Sequence, residues 1–203
     1  MVKVKICGIT NYEDAANAAI LGADFIGFNF YALSPRYVDK DNVKIIIEKM
    51  PKNMKNVGVF VNGSLEEVKK IVKDAGLDMV QLHGDETQEY CKQIKEETKK
   101  EVIKSFRINK KEDIEKIKKY DADYYLFDTF QDGLFGGTGE AFDWNLLKNI
   151  KKPFFLSGGL NCSNVRQAIK TAHPFAVDVA SGIEKNPRKK DIAKMKDFIE
   201  AAK

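Results

Sequence analysis

The chain has 203 residues, of which 43% are apolar, and this is enough for one substantial hydrophobic core. Its 34 basic and 30 acidic residues leave a net charge of only +4, and the lysines are spread along helix-like segments, which argues against a nucleic-acid partner. Three widely spaced cysteines form neither a disulfide framework nor a zinc pattern, and no run approaches the roughly 20 apolar residues that cross a bilayer. We therefore expect one cytoplasmic domain over residues 1–203, with no membrane partner. These features leave both a monomer and a homodimer open.

Short apolar runs with β-strand character recur along the chain at similar spacing. The runs are Val2–Ile6, Phe25–Phe30, Val57–Val61, Met79–Leu82, Val102–Phe106, Tyr124–Phe127, Phe154–Leu156 and Phe175–Val179. Most of the intervening segments are polar and carry apolar residues at helical spacing, as between Leu65 and Ala75. Strands that are apolar on both faces and alternate with amphipathic helices indicate a parallel sheet covered by helices.

Two α/β architectures fit this alternation, an open doubly wound sheet and a closed barrel. Eight units of near-equal length favour a single-domain (β/α)8 TIM barrel. A doubly wound fold would usually carry a glycine-rich cofactor turn after its first strand, whereas this strand ends in Cys7-Gly8-Ile9-Thr10.

Barrel enzymes carry their chemistry on the loops that follow the strands. Glycines follow the seventh and eighth predicted strands, in Ser157-Gly158-Gly159 and Ser181-Gly182. Bare backbone N–H groups there, with the positive end of a following helix, would form an anion site of the kind that barrels use for phosphate. The alternative is that the glycines only turn the chain, but two such turns after adjacent strands favour a phosphate site.

Reactive side chains also stand at the predicted strand ends. Cys7 ends the first run, where a thiolate can serve as base or nucleophile, whereas an unplaced cysteine such as Cys91 is usually a small buried hydrophobe. Asp128 closes an apolar run and could act as an acid, or else cap a helix or form a loop ion pair. Arg36, one of few arginines, could bind a carboxylate in a bidentate fork or be a surface charge.

His83 is equally compatible with a cavity donor and a core residue. From spacing alone we expect a barrel enzyme that acts on a phosphorylated small molecule by acid–base chemistry.

Seven segments in register, from the first strand to the last, together resemble the phosphoribosylanthranilate isomerase family. They are Lys5-Ile6-Cys7-Gly8-Ile9-Thr10, Ser34-Pro35-Arg36, Val57-Gly58-Val59-Phe60, Gln81-Leu82-His83-Gly84, Gly136-Gly137-Thr138-Gly139, Ser157-Gly158-Gly159-Leu160 and Asp178-Val179-Ala180-Ser181-Gly182-Ile183-Glu184. Each segment alone is a weak signal, but the ordered set is specific. The resemblance implies an Amadori rearrangement of N-(5′-phosphoribosyl)anthranilate in tryptophan biosynthesis, without a metal or organic cofactor.

The resemblance also implies roles for individual residues. Asp128 matches the family's general acid, which protonates the ribose ring oxygen, and Cys7 matches the base that removes the proton from ribose C2. Arg36 matches the residue that holds the anthranilate carboxylate, and Asp178 a carboxylate near the ribose hydroxyls. The backbone at Gly158, Gly159, Ser181 and Gly182 matches the phosphate site, and His83 is a further carry-over into the substrate-binding set.

The sequence departs from the family pattern in two places, and two other functions are alternatives to the one that the resemblance implies. Ala180 stands where the family pattern has Ser, which leaves a backbone donor in place, and the loop Asp132–Phe135 is idiosyncratic and fits at most a lid. One rival is a bifunctional phosphoribosyl sugar isomerase that also serves histidine biosynthesis; Cys7 and the short chain argue against it, because such enzymes pair two aspartates. The other is a non-catalytic barrel that binds a phosphorylated ligand, against which the pair Cys7 and Asp128 argues.

Overall fold

Eight parallel strands close into a barrel in chain order, with the first strand hydrogen-bonded to the last. The structure is a computed structural model that describes residues 1–108, 111–117, 120–129 and 143–203. The strands are β1 (Lys3–Cys7), β2 (Phe25–Asn29), β3 (Lys55–Phe60), β4 (Met79–Leu82), β5 (Glu101–Ile108), β6 (Tyr124–Thr129), β7 (Phe154–Leu156) and β8 (Ala176–Val179). This confirms the predicted (β/α)8 barrel, and each predicted run overlaps one of these strands.

Helices connect the strands around the outside of the barrel. They are α1 (Tyr12–Ile20), α2 (Lys40–Glu48), α3 (Leu65–Ala75), α4 (Gln88–Thr98), α5 (Lys111–Ile117), α6 (Val165–Ala172) and α7 (Ile192–Ala202). Between β6 and β7 the described residues hold a one-turn 3₁₀-helix, Trp144–Leu147, and a second one, Ser181–Ile183, follows β8. A small antiparallel pair, β9 (Glu184–Asn186) and β10 (Lys189–Lys190), precedes α7. Within the described residues, no helix combines the length and apolarity needed to span a membrane.

The helix α3 shows how local sequence sets these boundaries. The Ser64 side chain accepts a hydrogen bond from the Glu67 N–H, which caps the start of the helix. Val68, Val72 and Ala75 are buried on one face against the barrel, as their spacing predicts. The helix ends at Gly76, whose φ of 75° is the left-handed conformation that glycine adopts without a steric penalty.

Alternation along the strands divides the interior into two apolar regions. In β1, Val4 and Ile6 point outwards and join the large cluster between the barrel and the helices. A second cluster fills the inside of the barrel near its N-terminal end and comprises Phe25, Val57, Met79, Ile103, Leu126, Phe155 and Ala176. Above this inner cluster the buried inward positions become polar, and they include Lys5, Gln81, Ser105, Ser157 and Asp178. The barrel is therefore closed by apolar packing at one end and carries polar groups towards the other.

Two sequence features named above fall outside the described residues. These are the segment Gly136-Gly137-Thr138-Gly139 and the loop Asp132–Phe135. The lid role considered for that loop stays a prediction.

Candidate active site

A cavity of about 540 Å³ opens at the C-terminal ends of the barrel strands, where barrel enzymes place their chemistry. Its lining draws on the ends of β1, β2, β3, β4, β7 and β8 and the loops that follow them. Eight of the nine predicted site residues line it: Cys7, Arg36, His83, Gly158, Gly159, Asp178, Ser181 and Gly182. The ninth, Asp128, is not part of the lining but lies beside it, within reach of His83. Barrel closure therefore brings together residues from both ends of the chain.

Cys7 lies above a buried ion pair inside the barrel. The Lys5 ammonium lies 3.0 Å from the Asp178 carboxylate, and both side chains are nearly or fully buried. Burial raises the pKa of the Cys7 thiol, while the neighbouring Lys5 charge opposes that rise. Burial likewise raises the pKa of Asp178 against the influence of Lys5, and the nearby negative charge of Asp128 adds to the rise. A thiol, an ammonium and two carboxylates thus interact within one part of the barrel.

Arg36 crosses the mouth of the cavity in a bidentate pair with Glu184. Its Nε donates to Glu184 Oε1 at 2.8 Å and its Nη2 donates to Oε2 at 2.7 Å. Lys190 donates to the same carboxylate at 3.1 Å and to the Ala180 carbonyl at 3.0 Å. A guanidinium has five N–H donors, so the pair with Glu184 leaves the Nη1 side of the fork for a second carboxylate. Glu184 thereby orients Arg36 and leaves some of the N–H donors of Arg36 available for another partner.

His83 connects Asp128 to the cavity wall. Its Nε2 lies 3.4 Å from Asp128 Oδ2, and its Nδ1 lies 2.8 Å from Gln81 Nε2. Because the Gln81 amide nitrogen can only donate, Nδ1 accepts and the proton of a neutral imidazole lies on Nε2, facing Asp128. His83 was compatible with a position in the cavity or in the core, and the structure places its side chain in the cavity lining.

The predicted anion site lies where the loops after β7 and β8 meet. Gly158 and Gly159 have φ of 85° and 64°, a conformation that turns their N–H groups away from the usual strand pattern. Among the described residues, no protein acceptor faces the N–H groups of Gly158, Gly159, Ser181 and Gly182. The helical contribution differs from the expectation: a one-turn 3₁₀-helix follows β8, and α6 begins only at Val165. Backbone amides rather than a long helix supply the positive potential here.

Other polar groups complete the site, and sequence reasoning assigned them no role. Lys5, Gln81 and Glu184 occur within the family-like segments without a predicted role, and Asn29 and Lys190 lie outside those segments. Lys5 did carry a signal, because a charged residue two positions before Cys7 in an apolar strand must share its inward face. Glu184 carried none, since its partner Arg36 is 148 residues away in sequence.

The two cysteines given no role lie away from this cavity. Cys91 is fully buried in the outer core, where burial raises the pKa of its thiol to about 11, and Cys162 is exposed. Within the described part of the chain, no group of three or more His, Cys, Asp or Glu side chains is placed to hold a metal ion.

Comparison with known proteins gives a consistent result over the whole chain. Residues 4–201 match the family model for N-(5′-phosphoribosyl)anthranilate (PRA) isomerase. An N-(5′-phosphoribosyl)anthranilate isomerase from Caldanaerobacter subterraneus subsp. tengcongensis is 48% identical, over 98% of this chain and 97% of that protein.

Two solved structures are similarly close. One is of monomers of the dimeric phosphoribosylanthranilate isomerase from Thermotoga maritima, with 40% identity, a TM-score of 0.90 and coverage of 100% of this chain and 98% of that one. The other is a phosphoribosyl anthranilate isomerase in complex with reduced 1-(o-carboxyphenylamino)-1-deoxyribulose 5-phosphate, with 40% identity, a TM-score of 0.88 and coverage of 100% and 98%.

Proposed function

The chain belongs to the N-(5′-phosphoribosyl)anthranilate isomerase family, and on that premise we propose how its own residues carry out the reaction. Its function is the isomerisation of N-(5′-phosphoribosyl)anthranilate in tryptophan biosynthesis, which leaves the two rival functions without support. The observation that supports the residue assignment is one cavity that Cys7 and Arg36 line together with the glycine loops after β7 and β8, with Asp128 3.4 Å from His83.

The reaction begins with the opening of the ribose ring. Asp128 gives a proton to the ring oxygen, the C1–O bond breaks, and the lone pair of the anilino nitrogen forms a C1=N iminium. The iminium acidifies the C2–H bond, and the Cys7 thiolate then takes the C2 proton. The electrons of that bond form the C1=C2 enolamine, which neutralises the iminium. Tautomerisation of the enolamine to the C2 ketone gives the product. Each acid–base partner is worth roughly 10²–10⁴-fold in rate.

The remaining cavity residues bind the two anionic ends of the substrate. Amides of Gly158, Gly159, Ser181 and Gly182 receive the phosphate, and the free side of the Arg36 fork receives the anthranilate carboxylate. Asp178 accepts hydrogen bonds from the ribose hydroxyls, and His83, with its Nε2 proton directed at Asp128, forms part of the wall against which the substrate lies. The cavity of about 540 Å³ is of the size that small-molecule sites occupy.

The cellular setting follows from the same assignment. We place the enzyme in the cytoplasm, with a phosphorylated small molecule as its partner. A homodimer is the proposed state, because the Thermotoga maritima relative is described as dimeric. The sedimentation mass of the purified chain tests this state.

The purified protein should consume phosphoribosylanthranilate, followed by the loss of anthranilate fluorescence, in the presence of a chelator. Asp128→Asn and Cys7→Ser should each lower kcat by roughly 10²–10⁴-fold, because an amide cannot donate the proton as an acid and a hydroxyl is a far weaker base than a thiolate. Cys162→Ser, which changes an exposed thiol, should keep full activity. Near-normal turnover of Asp128→Asn would remove that residue from the acid role.

Arg36→Met should mainly raise KM. A hydrogen bond between charged groups contributes about 1.5–3 kcal/mol, so KM should rise roughly tenfold to hundredfold. Arg166→Met, which removes an exposed arginine of α6, should leave KM unchanged. Circular dichroism checks that Arg36→Met is folded despite the loss of the partner of Glu184, and an unchanged KM in the folded variant would contradict the carboxylate site.

A further inference from the structure

Lys5 is a fully buried lysine in the middle of the barrel, below the active-site cavity. Its exposed fraction is 0%, and its position two residues before Cys7 puts both side chains on the inner face of β1. A buried ammonium is costly unless charged partners and hydrogen bonds compensate it. Two other buried lysines pair with glutamates that have no proposed contact with the substrate, Lys104 with Glu86 and Lys190 with Glu184. The groups around Lys5, Asp178 and Cys7, are instead ones with proposed roles in substrate binding and proton transfer.

The contacts of Lys5 join two residues that have proposed roles in the reaction. Its ammonium lies 3.0 Å from Asp178 Oδ1, and its positive charge also acts on the Cys7 thiol. Gly27 on the neighbouring strand makes this meeting possible: a Cβ added there would lie 2.8 Å from Cys7 Sγ and 3.1 Å from Lys5 Nζ. Both atoms therefore occupy the space that a side chain at position 27 would need.

The groups around Cys7 have opposing effects on the pKa of its thiol. Burial raises the pKa of the Cys7 thiol most, and Asp178 on β8 raises it further, while Lys5 and Lys190 lower it. The Arg36 guanidinium also interacts with this sulfur from the loop after β2. His83 and Asp128 act on the neighbouring Asp178. Burial alone would lower the pKa of Lys5, but Asp178 and Cys7 hold it above its ordinary value, so its charge is retained at neutral pH.

We propose that Lys5 is a positioning residue for the isomerisation: its buried ammonium stabilises the Cys7 sulfur as a thiolate and fixes the Asp178 carboxylate beside it. The inference rests on the proposed role of Cys7 as base. When the thiolate takes the C2 proton, the ammonium keeps Asp178 as its anionic partner, so it has a charged partner before and after the step. Lys5 does not contact the substrate, because it is sealed below the cavity lining.

The test measures the pH dependence of Cys7 alkylation by iodoacetamide, read by peptide mass spectrometry. Only the thiolate reacts, so the midpoint of the profile reports its stability. In Lys5→Met we expect Cys7 alkylation at neutral pH to slow by about tenfold, the change that one pKa unit produces. In Asp178→Asn we expect the opposite, faster alkylation. The rising limb of the pH profile of kcat/KM should move up in pH in Lys5→Met.

The molecule provides its own controls. Cys162, which is exposed, should show the same alkylation profile in every variant. Lys104→Met removes another buried lysine from a buried carboxylate, and it should lower stability without moving the Cys7 midpoint.

An unchanged Cys7 midpoint in Lys5→Met would overturn the inference. If Lys5→Met does not fold, because Asp178 then lacks its partner, the double variant Lys5→Met/Asp178→Asn is compared with Asp178→Asn. A higher midpoint in the double variant supports the inference, and equal midpoints overturn it. The role of Cys7 as base is tested separately, by the activity of Cys7→Ser. If that variant is active, Cys7 is not the base, whereas the alkylation shifts would still show that Lys5 acts on the Cys7 thiol.

Discussion

The pair of Arg36 and Glu184 shows how much a single residue of the site depends on a distant one. The two hydrogen bonds that join them are short, and the carboxylate is also bound by Lys190. Burial on its own would raise the pKa of Glu184, but these two cations hold it below its ordinary value. A buried carboxylate held in this way is costly to leave without partners, so the group stabilises the mouth of the barrel only while Glu184 is ionised.

Glu184 should therefore make the stability of the protein sensitive to acid. Because folding lowers its pKa, its stabilising contribution is fully present above the unfolded value of about 4.3 and is lost as pH falls through the lower folded value. In urea unfolding, Glu184→Gln should be less stable than the unmodified chain at neutral pH, with a flatter loss of unfolding free energy below about pH 4. Glu200→Gln, on the exposed face of α7, should reproduce the unmodified slope. Parallel pH curves for Glu184→Gln and the unmodified chain would contradict this account.

At the scale of elements, the loops after β7 and β8 are packed directly on each other. A Cβ added at Gly182 would lie 2.0 Å from the Leu160 carbonyl oxygen, a contact with backbone that cannot move aside as a side chain can. The loops after β3 and β4 are joined differently, by Glu86, which accepts from the backbone N–H of Asn62 and Gly84 and pairs with Lys104 at 2.7 Å. Contacts between neighbouring loops therefore help to shape the mouth.

Gly182→Ala should separate the two loops of the anion site. We expect KM for the phosphorylated substrate to rise at least tenfold, because the added methyl group pushes the Ser181–Gly182 amides away from Gly158 and Gly159. Gly76→Ala is the matched control: no atom lies within 4 Å of its added Cβ, but its φ of 75° is strained for alanine. That variant should lose about 1 kcal/mol of unfolding free energy with KM unchanged. An unaltered KM in Gly182→Ala would exclude this loop from phosphate binding.

At the scale of the whole molecule, the barrel separates stability from chemistry along its axis. The N-terminal end is filled by aromatic rings in edge contacts, among them Phe25 with Phe155 at 5.2 Å and Tyr124 with Phe155 at 5.6 Å. The opposite end carries the cavity with the candidate catalytic residues. Alternation along eight strands lets one closed sheet supply an outer core, an inner apolar cluster and an active site.

Phe155→Leu should therefore affect stability alone. Phe155 is fully buried in the inner cluster, and its shortening leaves unfilled space that should cost about 1–2 kcal/mol of unfolding free energy. The kcat and KM of the folded variant should stay at the unmodified values. A changed KM would show that packing at the closed end is coupled to the cavity.

The strands and the candidate residues could be found from the sequence because each is a local property. Runs such as Met79–Leu82 are apolar on both faces wherever they occur, and Cys7 and Asp178 stand at or near strand ends whatever their partners. The sequence did not indicate which of these side chains contact one another. Lys5 contacts Asp178 across 173 residues, and Arg36 contacts Glu184 across 148 residues, so neither pair exists until β1 closes against β8. Local hydrophobic periodicity determined the fold class, whereas closure of the barrel decided the charges around Cys7, because electrostatic interactions depend on distances that only the folded chain sets.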